Sequence, residues 1–301
     1  MISSILAPTD FSPASLAALQ FAAALAKSSG AKLHLLHVID PLFLLSTPRG
    51  LLPFGSVEKE VTDTLTTQLE AVAADLSRVG VVPSTRVAIG RVTDEINQSA
   101  TQMGADLIVV ATHGHTALKY AFLGSTAEQL VKQPTCPVLV FRPKQGASHQ
   151  QTDGFGRILV PVDFSEPSRA GVEYALPFAR KFGAYVVLFH AVEVHRYFLF
   201  GGHEAGAAPA QIQQEATTEM GKLRKAALEE GYEVDTKIAI GSPVQQIEEY
   251  VASQDIDLII TSTHGRSGLS RLLIGNTAER LVRYVSCSVL VVENRETAAE
   301  N

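Results

Sequence analysis

The sequence LIVVATHG at residues 107–114, followed by GSTAEQLV at 124–131, decides how the chain folds. Its first four residues are all apolar, which is typical of a strand buried on both faces of a parallel sheet. The strand runs into a loop that contains Gly114, and Gly124 stands directly before a helical pattern. Glycine lets a backbone approach a ligand closely, and free N–H groups at a helix start favour an anion such as phosphate. The stretch therefore predicts a strand, a ligand-binding loop and a helix.

The chain contains this stretch twice, the second time as LIITSTHG at 258–265 and GNTAERLV at 275–282. Near the start, ILAPTDFS at 5–12 is likewise repeated as ILVPVDFS at 158–165. The two aspartates of the second pair are 153 residues apart, and the two histidines of the first pair are 151 apart. A nearly constant offset over most of a chain indicates tandem duplication of a domain.

Each half alternates short apolar runs with helical patterns. In the first half the predicted strands end near Pro8, Ile39, Ile89, Val110 and Phe141. This alternation predicts an α/β fold with an open, doubly wound, parallel sheet of five strands in each half. The periodicity is lost around residue 150, so the predicted division is a first domain at 1–145, a linker at 146–156 and a second domain at 157–296.

Several helix ends can be predicted from single residues. Ser12 is expected to cap the first helix, with Pro13 at its first position. Thr93 is expected to cap a later helix that ends at Gly104. Pro177 lies inside the first helix of the second half and is expected to kink it.

Composition and charge narrow the function classes. The net charge of −6 argues against binding to nucleic-acid backbones, which requires clustered Lys and Arg. No apolar run reaches the roughly 20 residues of a membrane span. The segment 1–6 lacks the basic residues of a signal peptide, so the expected location is the cytoplasm, with no membrane contact.

In an open α/β sheet, ligands bind beyond the carboxyl ends of the strands, where the winding direction reverses. Asp10, which follows the first strand, suits the hydroxyl pair of a ribose. The backbone at Val38 suits an adenine edge, and the loop and helix around Gly124 suit phosphates. Three alternatives remain: Asp10 supports the next helix, Gly124 serves only turn geometry, and His113 is a packed loop histidine without a catalytic role.

On these residues the chain resembles a tandem universal stress protein (the UspA family), with two copies that cover nearly all of it. The family's ATP-binding pattern is a glycine, two residues, a glycine, nine residues, and a glycine followed by Ser or Thr. Here the first copy has Ala111, Gly114, Gly124 and Ser125 at these positions. The second copy has Ser262, Gly265, Gly275 and Asn276. A small residue thus replaces the first glycine in both copies, and an amide replaces the final hydroxyl in the second copy alone.

The resemblance implies ATP as ligand, with Mg²⁺ as a candidate companion, and no resident metal site or catalytic residue. It also implies a pseudo-two-fold relation between the copies and association, including homodimers, through sheet-edge strands. The first copy is expected to bind ATP better because Asn276 replaces the usual hydroxyl. The implied contacts of the first copy are Pro8, Thr9, Asp10, Val38, Val110, Ala111, His113, Gly114, Gly124, Ser125 and Thr126. Those of the second are Pro161, Asp163, Ala191, Thr261, Ser262, Gly265, Gly275, Asn276 and Thr277.

The expected function is a nucleotide-dependent regulatory module in a stress response. One alternative is a scaffold or small-ligand binder whose nucleotide pockets are vestigial, acting through apolar loops at 42–54 and 197–208. Another is a slow ATPase, although the chain lacks the P-loop pattern of many phosphoryl-transfer enzymes.

Overall fold

The computed structural model describes residues 2–42, 54–112, 123–143, 155–193, 208–263 and 275–292. The chain divides into two compact units, Met1–Gly154 and Phe155–Asn301. The apolar loop at 42–54 is described only at its ends, the loop at 197–208 only at its last residue, and most of the predicted linker lies outside the described residues.

The first unit is a parallel sheet of five strands with the order β3-β2-β1-β4-β5. The four helices described here connect these strands, which is the alternation that the sequence predicts. The strands are β1 (Ser4–Pro8), β2 (Lys32–Ile39), β3 (Ser84–Ile89), β4 (Leu107–Ala111) and β5 (Val138–Phe141). The helices are α1 (Pro13–Ser29), α2 (Phe54–Ser77), α3 (Val92–Met103) and α4 (Ser125–Lys132).

The second unit repeats this architecture, with the order β10-β9-β6-β7-β8. Its strands are β6 (Arg157–Pro161), β7 (Tyr185–Val192), β8 (Val234–Ile240), β9 (Leu258–Ser262) and β10 (Ser288–Val292). Its helices are α5 (Glu166–Phe182), α6 (Ala208–Glu229), α7 (Pro243–Gln254) and α8 (Asn276–Tyr284). The predicted α/β fold with two tandem parallel sheets is therefore confirmed.

The core of each unit lies on both faces of its central strands. In β4, Leu107 to Val110 are each no more than 4% exposed. Burial on both faces explains why these strands read as unbroken apolar runs rather than alternating ones. The aspartates directly before β4 and β9 fix the starts of the neighbouring strands β1 and β6. Asp106 accepts the Ser3 N–H at 2.8 Å, and Asp257 accepts the Arg157 N–H at 2.8 Å.

The helix ends agree with the sequence at some positions and correct it at others. Ser12 caps α1 by accepting the Ser15 N–H, and Gly104 ends α3 in the left-handed conformation, as predicted. The prediction for Thr93 is wrong, because Arg91 occupies the cap position and Thr93 lies within the first turn. The Thr93 hydroxyl instead donates to the Gln129 side chain at 3.0 Å. Helix α5 continues past Pro177 to its end at Phe182.

No helix in the described part of the chain is long and apolar enough to cross a lipid bilayer.

Candidate functional site

The strand order places a switch in winding direction at the centre of each sheet. In the first unit the chain goes from β1 to β2 on one side, and later returns to β4 on the other side of β1. The register pairs Ile5 with Leu107 and Leu6 with Ile108, so the carboxyl ends of β1 and β4 lie level. This edge is where open α/β sheets bind ligands.

The residue after β1 is held in place by β2. The Thr9 N–H donates to the Leu36 carbonyl at 2.8 Å, which extends the ladder between the two strands beyond Pro8. The Thr9 carbonyl in turn accepts a hydrogen bond from Nδ1 of His37 at 2.8 Å. A carbonyl oxygen only accepts, so Nδ1 of His37 carries the proton. Both backbone groups of Thr9 are therefore fixed directly before Asp10.

Burial lowers the pKa of His37 below its ordinary value of 6.5, while the hydrogen bond to Thr9 and the charge of Asp10 act in the opposite direction. The neutral ring is the form that this site favours. The Phe11 ring packs against this imidazole with the ring centroids 4.7 Å apart.

Backbone strain follows directly after Asp10. Phe11 has a φ of 63°, in the left-handed region that side chains other than glycine rarely adopt. Such strain costs about 1–3 kcal/mol and persists where surrounding contacts impose it. Here the contacts are the ring packing on His37 and the hydrogen bond that the Phe11 N–H donates to the Thr9 hydroxyl at 2.9 Å.

Asp10 also has a local structural role. Its Oδ1 accepts the Ser12 N–H at 3.0 Å, which supports the turn that leads into α1. Asp10 therefore does support the next helix, which is one of the alternatives that the sequence left open. This role is compatible with a second role toward a ligand, because a carboxylate has about four acceptor positions.

Helix α4 begins at the end of β4. The Gly124 N–H donates to the Thr112 carbonyl at 2.7 Å, which ties the helix start to the residue that follows the strand. Gly124 is the cap residue, and no side chain of the described residues caps this helix. Its φ of −63° and ψ of 144° suit any residue, so turn geometry alone does not require glycine here. The first turn therefore presents N–H groups that suit an anion.

The second unit reproduces the backbone bond, the histidine bond, the left-handed phenylalanine and the glycine-started helix, although Val162 has no hydroxyl to match that of Thr9. The Val162 N–H donates to the Phe189 carbonyl at 2.8 Å, and Nδ1 of His190 donates to the Val162 carbonyl at 2.7 Å. Phe164 is left-handed with a φ of 64°, and its ring lies 4.5 Å from that of His190. The Gly275 N–H donates to the carbonyl of the residue after β9 at 2.6 Å.

The other sequence-predicted residues of the first unit lie at this carboxyl edge or in the first turn of α4. Pro8 ends β1, Val38 is the last but one residue of β2, and Val110 and Ala111 end β4. Ser125 and Thr126 begin α4.

In the second unit the corresponding strand ends hold Pro161, Ala191, Thr261 and Ser262. Asp163 lies two residues after β6, and α8 begins with Asn276 and Thr277. His113, Gly114 and Gly265 lie outside the described residues.

Sequence reasoning missed the groups that fix the strand-end loops. One pair is the imidazoles of His37 and His190. The other is the hydroxyls of Ser15 and Ser168, which donate to the carbonyls of Ser12 at 3.0 Å and Ser165 at 2.9 Å. Their repetition at matching positions in the two halves was the available signal. The histidine and the carbonyl that it contacts are 28 residues apart, and no sequence pattern marks such a pair. Among the described residues, no three His, Cys, Asp or Glu side chains form a group that suits a metal ion.

Two doubly wound parallel sheets in tandem, each with a glycine-started helix at its switch point, define a duplicated α/β protein of the Rossmann-like class. The sequence profile of the universal stress protein family matches residues 1–142 and 154–293. The chain therefore belongs to the universal stress protein family.

The relatives include proteins that match nearly the whole chain and proteins that match about half of it. A universal stress protein of Mycolicibacterium smegmatis is 26% identical over 304 residues, which is 97% of each chain. One from Methanocaldococcus jannaschii is 31% identical over 158 residues, 48% of this chain and 98% of the relative. The crystal structure of a universal stress protein from Archaeoglobus fulgidus has a TM-score of 0.70 at 21% identity and covers 97% of this chain and 96% of its own, which is a likeness of fold.

Proposed function

We propose that this protein is a nucleotide-dependent regulatory module that binds ATP at the carboxyl edge of each sheet, and that the first unit is the better site. The observation that carries the proposal is the start of α4. Gly124 ties this helix, which no described side chain caps, to the end of β4, beside the β1 end that carries Asp10. A helix start of this kind favours phosphate.

The neighbouring groups suit the rest of the nucleotide. The Asp10 carboxylate is an acceptor for ribose hydroxyls, and the backbone at Val38 suits an adenine edge. Ala111 at the end of β4 is small enough to leave room for the base. Mg²⁺ would accompany the phosphates of the bound nucleotide, as it usually does in phosphate sites.

Two differences favour the first unit as the better site. Ser125 offers a hydroxyl in the first turn of its helix, where the second unit has Asn276. Ser262 is larger than Ala111 and only 7% exposed, so it leaves less room at the strand end.

The local bond between Asp10 and Ser12 favours a second candidate, a scaffold whose pockets no longer bind nucleotide. In this alternative the aspartates only support the following helices. The protein would then act through its surface, and added ATP would not stabilise it.

Mass spectrometry of the small molecules released when the purified full chain is denatured separates these candidates. One equivalent of ATP per chain, with a second bound only when ATP is added, is the expected result. Two tightly held equivalents would contradict the inequality of the units. ADP or AMP in place of ATP would favour slow hydrolysis. No nucleotide, together with no shift in melting temperature on addition of ATP and Mg²⁺, would favour the scaffold.

A further inference from the structure

A second cleft lies at the amino ends of the strands of the first unit, at the opposite end of the sheet from the edge proposed to bind nucleotide. This amino-edge cleft has a volume of about 470 Å³ and lies between the last turn of α1, the turn after α2, and the first residues of β2 and β3. Its lining includes Lys27, Lys32, His34 and Ser84. No Asp or Glu is among the described residues that line it. The described part of its wall is therefore basic.

The two lysines of this cleft are not engaged by other side chains. Both are exposed, and within the described part of the chain neither Lys27 nor Lys32 forms an ion pair or a side-chain hydrogen bond. The chain has 31 acidic residues against 25 Lys and Arg, so a shortage of carboxylates does not explain two lysines that share one cleft without a partner. Their ammonium groups are available to an anion from outside the chain.

A histidine and a serine extend the set of donors. Nδ1 of His34 lies 2.6 Å from Oγ of Ser84, and Nε2 of His34 is buried without a hydrogen-bond partner among the described residues. Burial and the charge of Lys32 lower the pKa of His34 below its ordinary value of 6.5. A negative charge in the cleft would offset the charge of Lys32 and favour the protonated ring. Nδ1–H would then donate to Ser84, and the Ser84 hydroxyl proton would be available to the anion.

The second unit shows that the fold does not require this histidine and serine. Strand pairing places His34 opposite Ser84, and at the matching place it puts Val187 opposite Asp235. The second unit thus has an apolar residue in place of the imidazole and a carboxylate in place of the hydroxyl. A buried nitrogen without a partner destabilises a fold. Because valine serves at the matching position, packing alone does not explain the imidazole of the first unit.

Arg180, the counterpart of Lys27, has a local role that Lys27 lacks. Its guanidinium lies 3.8 Å from the centre of the Tyr232 ring and donates to the Glu230 carbonyl at 2.6 Å, directly after α6. The first unit has Val81 where the second has Tyr232, so Lys27 has no such ring to cover. Lys27 also lies in the last turn of α1, where a positive charge is favourable, but that role does not occupy its hydrogen-bond donors.

We propose that the amino-edge cleft is an anion site of the first unit, which binds the dianionic phosphate group of inorganic phosphate or of a small phosphate monoester. Lys27 and Lys32 balance its two negative charges, and Ser84 donates to one of its oxygens. A carboxylate has one charge and would balance only one of the lysines. The inference does not rest on nucleotide binding, because the cleft and the nucleotide edge lie at opposite ends of the strands.

Proton NMR of the His34 ring in the full chain tests the proposal, with inorganic phosphate as the probe at constant ionic strength. The chain carries Gly124→Asp and Gly275→Asp, so that the two helix starts at the nucleotide edges repel the anion. His34→Val identifies the signal by its loss. The signal should shift saturably with phosphate, and the pKa of His34 should be higher with phosphate than with sodium chloride. No saturable shift, or an equal rise with chloride, overturns the proposal.

Lysine variants test the contacts. Lys27→Gln and Lys32→Gln should each raise the Kd for phosphate about fivefold, because each removes a charge-assisted hydrogen bond. Lys32→Gln should also raise the pKa of His34 without phosphate, because it removes a charge that lowers this pKa. Lys59→Gln is the matched control, since Lys59 is exposed near the start of α2, roughly 27 Å along that helix from the cleft. A loss of affinity in this control as large as in the other two overturns the proposal.

Glycerol 3-phosphate in place of inorganic phosphate identifies the source of the phosphate group. Tighter binding identifies a monoester, whose carbon chain would contact the exposed side chain of Val82 at the rim, and equal or weaker binding identifies free phosphate. Both results support the site, whereas a response to acetate as strong as that to phosphate overturns its assignment to a dianion.

The outcomes also separate this inference from the proposed function. A chain that binds ATP and shows no response of His34 to phosphate keeps the proposed function and loses this inference. A chain that binds no ATP and responds to phosphate at His34 keeps this inference.

Discussion

Replacement of Gly124 by aspartate is expected to block phosphate binding at the first site while leaving the unit folded. The backbone at Gly124 has a φ of −63° and a ψ of 144°, which an aspartate adopts without strain. Aspartate is a favoured cap residue, and α4 lacks a side-chain cap among the described residues. The free energy of unfolding should therefore rise by about 0.5–1 kcal/mol.

The same carboxylate would oppose the phosphates of ATP. Two like charges about 5 Å apart repel by about 3 kcal/mol at an effective dielectric constant of about 20, which corresponds to a loss of affinity of more than about a hundredfold. Isothermal titration calorimetry of ATP with the full chain measures this loss, in a background in which the equivalent change Gly275→Asp blocks the second site. Thermal unfolding without nucleotide measures the effect on stability.

Gly124→Asn is the matched control, because asparagine has nearly the shape of aspartate, caps helices equally well and carries no charge. It should weaken ATP binding much less than aspartate does. Equal losses in the two variants would show that bulk rather than charge matters at this position, and the phosphate assignment would be refuted. A melting temperature that falls in both variants would refute the account of the cap.

Two further predictions concern His37 and Pro177. Because burial lowers the pKa of His37 in the folded state, the unfolded chain binds a proton first as the pH falls through about 6.5, and the free energy of unfolding should decrease there. Urea unfolding at several pH values should show a smaller decrease for His37→Gln than for the natural chain. An unchanged decrease would contradict this role of His37. Pro177→Ala should raise the stability of the second unit by about 1–3 kcal/mol, because the exposed proline removes a hydrogen bond from α5. The reverse change at the matching position of α1, Ala24→Pro, should lower the urea midpoint of the first unit, and a gain there would contradict the reasoning.

The strands and most helix ends could be predicted because each depends on neighbouring residues. The run from Leu107 to Val110 forms a strand since it is buried on both faces, and Ser12 caps α1 since its hydroxyl reaches an N–H three residues on. Thr93 shows where such reasoning fails. A threonine before a helical pattern is a reasonable cap, but its hydroxyl bonds to Gln129, 36 residues away, and the cap position lies two residues earlier, at Arg91.

The candidate site divides in the same way. The glycines and aspartates could be found because they follow strands at the edge where parallel strands end together. The contacts around Asp10 could not, because they include the bond from the Ser12 N–H to its carboxylate and the bond from His37 to Thr9, which form only in the folded chain. Sequence therefore locates the edge that would bind a ligand, whereas the strength of that edge as an acceptor depends on contacts made only in the folded chain.

The duplication separates what the fold requires from what a ligand would require. Both units have a bond from a histidine of β2 or β7 to the loop after β1 or β6, and both have a left-handed phenylalanine in that loop. These contacts are common to the two switch points. The Thr9 hydroxyl occurs in one unit, and the second unit folds without it. That hydroxyl accepts the Phe11 N–H and lies 2.9 Å from Oγ of Ser15, so it is a local support of the first loop and not a requirement of the shared fold.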